Sequence, residues 1–214
     1  MDRVAPSTFE ELQRRALALK GRSVAELARR SNWDIPDLQR AKGWVGQLLE
    51  HVLGATSGHL PQPDFPNLGV ELKTIPLRRD GSPLGSTYVC TAPLPFREQV
   101  WEHSTVSAKL NHVLWIPIYQ LQDLPIGEAV FWRRSPAIEQ QLKEDWIALT
   151  EKLRLGQFYD LCAQLGEYLQ LRPKAENRQQ RIAVLSETLE KHWIVPKGFY
   201  LRRTFTQKII QATF

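Results

Sequence analysis

A run of six residues at positions 113–118, VLWIPI, constrains the fold of this chain more than any other feature. It is nearly all apolar, whereas a strand with one face in water alternates between apolar and polar residues. Such a run is typical of a central strand that is buried on both faces. Other strand-like segments lie at 70–77, 86–94 and 129–135, so we expect an α/β fold in which helices flank a small sheet.

Helices are expected over most of the first 55 residues. Ser7 and Ser23 each begin a capping-box pattern, in which a serine is followed three residues later by a glutamate. A third helix is expected from about Gly43 to Leu53. Away from its apolar stripe, one face of this helix carries two glycines, an amide and a carboxylate: Gly43, Gln47, Glu50 and Gly54.

The second half of the chain is expected to mix helices and strands. Ser135 and Pro136 open a long helix, as its cap and its first residue, and this helix ends near Gly156. The sequence then predicts a shorter helix to about residue 165, a strand at 167–173, a helix at 176–191 and a terminal helix after the segment 198–205. Asp80-Gly81, between the first two strand-like segments, predicts a β-hairpin.

Composition limits the kinds of protein that this chain can be. Its 214 residues suffice for one well-buried core or for two modest lobes that share one. No apolar run approaches the roughly 20 residues that cross a bilayer, and the N-terminus lacks the apolar region of a signal peptide, so we expect a cytoplasmic protein without a membrane span. Two distant cysteines, Cys90 and Cys162, exclude a disulfide framework. The net charge of +5 is compatible with a polyanionic partner.

The stretch PDFPNLGVELK at 63–73 holds the residues best suited to chemistry. Glu71 and Lys73 alternate with apolar residues, so they share one face of a strand that begins near Val70, and we expect that face to be wet. Asp64 precedes a Pro-x-x-Gly turn, which can fold it back beside Glu71. The spacing alone is a weak signal, because paired surface charges on an amphipathic strand would produce it too. The Pro-Asp start, the turn and the alternation together favour a functional site.

These residue types suit the hydrolysis of a phosphodiester. A hard cation neutralises the phosphate and lowers the pKa of the attacking water. Mg²⁺ prefers oxygen ligands and usually takes only one or two carboxylates, which Asp64 and Glu71 can supply, and the carbonyl of Leu72 between them could also reach the ion. Lys73 would orient the nucleophile or stabilise the developing negative charge.

Longer blocks of sequence carry a more specific resemblance. KGWVGQLLE, DFPNLGVELKTIP, KLNHVLWIPI, LGQFYDL, GEYLQLRPKA and PKGFYLRRTF, in this order, resemble the MutH family, the strand-nicking endonucleases of methyl-directed mismatch repair. The resemblance extends over roughly Ala41 to Phe205. It implies a restriction-endonuclease-like fold with a PD…(D/E)xK motif, in which a small mixed β-sheet is flanked by helices and two lobes surround a DNA-binding cleft. We expect residues 1–214 to form a single endonuclease domain, with no prediction of where one lobe ends and the other begins.

The resemblance also implies a role for each residue of the motif. Asp64, Glu71 and the carbonyl of Leu72 would bind Mg²⁺, a site that Mn²⁺ or Ca²⁺ can also occupy. Lys73 would be the catalytic lysine. Two further members of the active site would be Glu50 and Lys109, for which an exposed helix glutamate and a lysine at the entry of a strand are the simpler alternatives.

In the same family the substrate is double-stranded DNA with the sequence GATC, cut on the unmethylated strand of a hemimethylated site. Arg172 is the candidate for a major-groove contact, because a guanidinium can donate two hydrogen bonds to one guanine. Lys174 suits a contact with a backbone phosphate. Tyr200 would lie beside the adenine that carries the methyl group. The resemblance implies these DNA contacts: Lys42, Arg172, Pro173, Lys174, Tyr200 and Arg202. It also implies a monomer that a MutL-type ATPase activates.

Two other functions stay open at this point. A restriction enzyme could use the same chemistry to cut both strands, although one motif without an internal repeat favours nicking. A DNA-binding module could keep the fold and lose catalysis, although Asp64, Glu71, Lys73 and Glu50 are all present.

Overall fold

The computed structural model describes residues 4–33, 43–58, 60–94, 100–158, 165–174, 181–185 and 191–212. Its helices are α1 (Phe9–Leu17), α2 (Val24–Arg30), α3 (Trp44–Leu53), α4 (Thr105–Lys109), α5 (Pro136–Arg154) and α6 (Arg203–Gln211). Its strands are β1 (Glu71–Leu77), β2 (Thr87–Thr91), β3 (His112–Tyr119), β4 (Val130–Arg133), β5 (Leu169–Pro173), β6 (Ile182–Leu185), β7 (Lys191–Ile194) and β8 (Lys197–Leu201). The chain divides into two compact units, which we call unit 1 (1–85, 109–133 and 210–214) and unit 2 (86–108 and 134–209).

Unit 1 is a mixed sheet that packs against helices. Its strand order is β1-β3-β4, with β1 parallel and β4 antiparallel to the central β3. The residues of β3 are buried from His112 to Ile118, which confirms the predicted central strand. Side chains of α1, α2, α3 and the sheet form one core, in which Leu12, Leu48 and Leu49 are fully buried.

Local sequence determines where the helices of unit 1 begin. Ser23 caps α2, and its side chain accepts a hydrogen bond from the backbone N–H of Glu26 at 3.0 Å, as predicted. The prediction for α1 was wrong by one residue. Thr8 is its cap and accepts from the backbone N–H of Glu11, while Ser7 donates to the Glu11 carboxylate.

Unit 2 holds an antiparallel sheet, a separate ribbon and the long helix α5. The sheet has the order β2-β8-β5, and β6 pairs with β7 in a two-stranded ribbon. As predicted, Ser135 caps α5, Pro136 is its first residue, and Gly156 follows its end with a φ of 71°. The apolar residues buried along α5 are Leu142, Trp146, Leu149 and Leu153.

Two further predictions of secondary structure were wrong. The expected hairpin between 70–77 and 86–94 does not form, because β1 pairs with β3 and β2 pairs with β8. The residues around Asp80-Gly81 do turn, with the N–H of Arg78 bonded to the Ser82 carbonyl at 2.8 Å, but this turn does not align the two strands. The helix expected at 176–191 is contradicted by strand β6 at Ile182–Leu185, in which Val184 is buried.

The remaining helix predictions have different outcomes. The terminal helix is confirmed as α6. The shorter helix expected before residue 165 lies mostly at 159–164, outside the described residues. Among the helices that the structure describes, none combines the length and the apolar character needed to cross a membrane.

Candidate functional site

A tight turn places Asp64 against the start of β1. Phe65 and Val70 exchange backbone hydrogen bonds of 2.9 and 3.3 Å, and Gly69 between them has a φ of 63°, which favours glycine. One carboxylate oxygen of Asp64 therefore accepts from the N–H of Leu72 at 2.8 Å. The structure thus confirms that the turn brings Asp64 back beside Glu71.

Glu71 is almost completely buried, with 1% of its surface exposed. Lys73 donates to its Oε1, and Lys109, the last residue of α4, donates to both carboxylate oxygens at 3.0 and 2.9 Å. The prediction that this face of the strand is wet was wrong. A buried carboxylate needs charged partners, and Lys109 supplies the second one from 38 residues away along the chain.

Glu50 completes this group of charges, which we call the acidic cluster: Glu50, Asp64 and Glu71 with Lys73 and Lys109. The helix α3 packs against β1, and Glu50 lies in the last turns of α3. Burial, together with the nearby charges of Asp64 and Glu71, raises the pKa of Glu50 to about 7. Burial and the charge of Glu71 also raise the pKa of Asp64. Glu50 is therefore no ordinary exposed helix residue.

The donor set of the cluster fits a hard divalent cation. Among the described residues, no group of three or more His, Cys, Asp or Glu side chains is arranged to hold a metal ion. Mg²⁺, however, needs only one or two carboxylates and keeps water or phosphate oxygens for its other positions. Burial is the main cause of the raised pKa values of Glu50 and Asp64, and the charges of neighbouring carboxylates add to it. A bound cation would favour the charged form of both groups.

Unit 2 carries a second group of polar residues on one face of its sheet. Tyr88 on β2 and Gln170 on β5 both lie opposite Tyr200 on β8, and the two tyrosine rings meet edge to face with centroids 5.3 Å apart. The guanidinium of Arg172 lies 5.8 Å from the centre of the Tyr200 ring. Lys174 lies 4.7 Å from the centre of the Tyr88 ring and donates to its hydroxyl at 2.7 Å. We call these four residues the tyrosine–cation face: Tyr88, Arg172, Lys174 and Tyr200.

Gly198 allows the two tyrosine rings to lie close to the sheet. A Cβ at this position would come within 3.1 Å of both the Tyr88 and the Tyr200 ring, closer than most Cβ contacts in proteins. No sequence pattern singled out Gly198 or Tyr88. Only the pairing of β2 with β8 shows that they belong with Tyr200, because these strands are distant in sequence.

The other predicted DNA contacts have different positions. Pro173 is an exposed residue at the end of β5, and Lys42 lies outside the described residues. Arg202 donates within unit 2 to the carbonyls of Gly166 at 2.7 Å and Leu165 at 2.9 Å. Arg202 therefore stabilises the loop before β5, and its contact with DNA stays a prediction.

Unit 1 combines a mixed sheet and flanking helices with a turn that brings Asp64 to the strand of Glu71 and Lys73. These features assign the chain to the class of restriction-endonuclease-like proteins. The family model described as the DNA mismatch repair enzyme MutH matches residues 53–145. The DNA mismatch repair protein MutH of Shewanella amazonensis is 44% identical over 216 aligned positions, which cover 98% of this chain and 96% of the relative. The MutH protein of Vibrio cholerae is 45% identical, with 98% of both chains covered, and that of Actinobacillus pleuropneumoniae is 44% identical, with 96% of both covered. This chain belongs to the MutH family of DNA mismatch repair proteins.

Proposed function

We propose that this protein is a Mg²⁺-dependent endonuclease that nicks the unmethylated strand of hemimethylated GATC sites during mismatch repair. One observation carries the proposal: buried Asp64 and Glu71 lie together with Lys73 on one short strand and the turn before it. Burying a carboxylate costs free energy, so carboxylates without a function would be expected at the surface.

Each residue of the acidic cluster has a chemical task in this proposal. Asp64, Glu71 and the carbonyl of Leu72 would hold Mg²⁺, which when bound neutralises the scissile phosphate and lowers the pKa of the attacking water. Lys73 and Lys109 supply positive charge to the nucleophile and to the phosphate oxygens once Glu71 no longer engages both of them. Glu50, with a pKa of about 7, can hold or release a proton near neutral pH.

The tyrosine–cation face would recognise the DNA. Arg172 suits the O6 and N7 atoms of guanine, and Lys174 suits a backbone phosphate. The Tyr200 ring, fixed by Tyr88 and Arg172, would pack beside the target adenine and conflict with a methyl group on its N6. We further propose a monomer that works on cytoplasmic DNA and is activated by a MutL-type ATPase.

The test is a nicking assay on a circular plasmid with a single GATC site in unmethylated, hemimethylated and fully methylated forms. Each form is incubated with Mg²⁺ or EDTA, with and without a MutL protein and ATP. Nicks that need Mg²⁺, lie on the unmethylated strand and increase with MutL would support the proposal. Double-strand breaks independent of MutL would indicate a restriction enzyme instead. Binding without cleavage under all these conditions would indicate a catalytically inert module.

A further inference from the structure

The β6–β7 ribbon of unit 2 has one buried face and one exposed face. On the buried face, Val184 and Ile194 are 1% and 2% exposed, and the His192 ring lies edge to face with Phe158. On the other face, Ala183 pairs directly with Trp193, and both are exposed. The burial pattern follows the alternation of side chains along a strand, so one face packs inward and the other is accessible from outside.

Trp193 is unusual on this outer face because 58% of its surface is exposed. Lys191, two residues earlier on the same face, places its ammonium 4.9 Å from the centre of the Trp193 ring. A cation in this position is attracted to the face of the indole ring. The rest of the exposed indole surface is accessible to a ligand.

The charge of the outer face indicates what kind of ligand fits. Arg181, immediately before β6, is exposed, and together with Lys191 it flanks Trp193 with positive charge. Within the described part of the ribbon, this face has no carboxylate. Ammonium and guanidinium groups bind DNA phosphates, and an indole ring can pack against the sugars between them.

The ribbon is continuous with the tyrosine–cation face. Strand β7 leads through Val195 and Pro196 into β8, which carries Tyr200. The Pro196 carbonyl also accepts the backbone N–H of Lys174 at 2.7 Å. The ribbon and the tyrosine–cation face therefore lie on the same unit and are connected by the chain and by a hydrogen bond. A duplex bound by the face would have the ribbon beside it.

We propose that the outer face of the ribbon, formed by Arg181, Ala183, Lys191 and Trp193, binds the sugar–phosphate backbone of the duplex outside the recognition sequence. The proposal rests on the proposed function and extends it from the four recognised base pairs to the flanking DNA. It predicts that the ribbon adds affinity only when the duplex is long enough to reach it.

Binding measurements on duplexes of two lengths test this. One duplex has about 10 base pairs, roughly one helical turn centred on GATC, and the other has about 30. Trp193→Ala should weaken binding to the long duplex about tenfold and to the short one less than about twofold. Ile147→Ala, which removes a side chain of unit 2 that is 47% exposed on α5, should change neither.

A charge variant makes the test independent of any effect of Trp193 on folding. Lys191→Gln should reduce the dependence of log Kd on log salt concentration by about one unit on the long duplex, since one phosphate contact is lost, and leave the short duplex unchanged. Unchanged binding of both variants to the long duplex, or an equal loss on both duplexes, would overturn the proposal.

Two further outcomes separate the alternatives. If Trp193→Ala keeps full DNA affinity but loses its stimulation by MutL and ATP, the outer face binds a protein, and the DNA proposal is wrong. If the unaltered protein shows no nicking at GATC, the proposed function fails. The difference between short and long duplexes still decides whether the ribbon binds flanking DNA.

Discussion

At the scale of single residues, Glu71 shows how a buried charge is tolerated. It contacts Lys73 and Lys109, both of which are largely buried as well. Removing one member of such a group leaves the others uncompensated, whereas exposed ion pairs are worth little. The effect of a substitution in the acidic cluster therefore differs sharply from that of a surface substitution.

Replacing Glu71 by glutamine should lower the nicking rate by at least about 100-fold, because a metal ligand and the partner of two lysines are lost together. DNA affinity should stay within about threefold, since DNA contacts are proposed on unit 2. Plasmid nicking and gel-shift assays measure the two quantities. Glu128→Gln, in an exposed pair with Lys20, is the matched control and should retain full activity. A parallel loss of binding and of thermal stability would instead make Glu71 a structural residue.

The raised pKa of Glu50 predicts how stability depends on pH. Glu50 titrates near its ordinary value of 4.5 in the unfolded chain and near 7 in the folded protein, so the folded state binds the proton more tightly. Glu50 therefore lowers stability as pH rises through this window, and Glu50→Gln removes that loss. In EDTA, the variant should gain about 1–3 kcal/mol relative to the parent between about pH 4.5 and pH 8, a range that allows for partial solvent screening.

Urea unfolding curves at several pH values measure this difference. Glu151→Gln, an exposed glutamate on α5, is the control and should follow the pH profile of the parent protein. Identical pH profiles for Glu50→Gln and the parent protein would show that Glu50 is not held in its protonated form.

Tyr200 should control discrimination between methylation states more than it controls catalysis. Tyr200→Ala removes the ring that the Tyr88 ring and Arg172 hold in place. We expect the ratio of nicking rates on hemimethylated and fully methylated plasmids to fall at least about tenfold, with a smaller loss on unmethylated DNA. Tyr119→Ala, a partly buried tyrosine of unit 1, is the control. Equal losses on all three plasmids would contradict the assignment.

At the scale of elements, one buried carboxylate determines where β5 begins. Asp145 on α5 accepts hydrogen bonds from the backbone N–H groups of Glu167, Tyr168 and Leu169 at 2.6–2.9 Å. Gly166, with a φ of 84°, makes the preceding turn, and a Cβ there would lie 2.1 Å from the Leu169 carbonyl oxygen. The helix thereby positions the strand that carries Arg172.

Replacing Asp145 by alanine should destabilise the protein by about 3 kcal/mol or more, because buried N–H groups lose their acceptor. Chemical denaturation measures the change. The neighbouring Glu144→Ala is the control, and its effect should stay within about 0.5 kcal/mol, because the exposed Glu144 carboxylate accepts a hydrogen bond from the Gln140 side chain on the helix surface. A similar small effect for Asp145→Ala would show that these backbone groups find other partners.

At the scale of the whole molecule, metal binding should appear as a gain in stability. A cation that binds the folded protein alone stabilises it by about 2.7 kcal/mol when its concentration is 100 times the Kd. Mg²⁺ should therefore raise the Tm in a concentration-dependent manner, and Asp64→Asn should abolish this rise. Asp80→Asn, in an exposed turn, should retain it. An equal rise in all three proteins would mean that Mg²⁺ acts elsewhere.

The sequence by itself determined those features that depend on residues close together in the chain. The sequence predicted the caps at Ser23 and Ser135, the buried strand β3 and the turn from Asp64 to Glu71. Each of these features depends on residues within about two helical turns of one another or within one strand. The family resemblance was equally readable, since it rests on ordered blocks of residues.

Only the tertiary structure decided which strands pair and which side chains are brought together across long distances in the chain. β1 joins β3 rather than β2, and Tyr88 lies beside Tyr200. Alternation along a strand specifies its buried face but not its partner, because the free energy of pairing comes from side chains of segments far away in sequence. For the same reason, Lys109 was expected near Glu71 only through the family resemblance, because no local pattern connects the two residues.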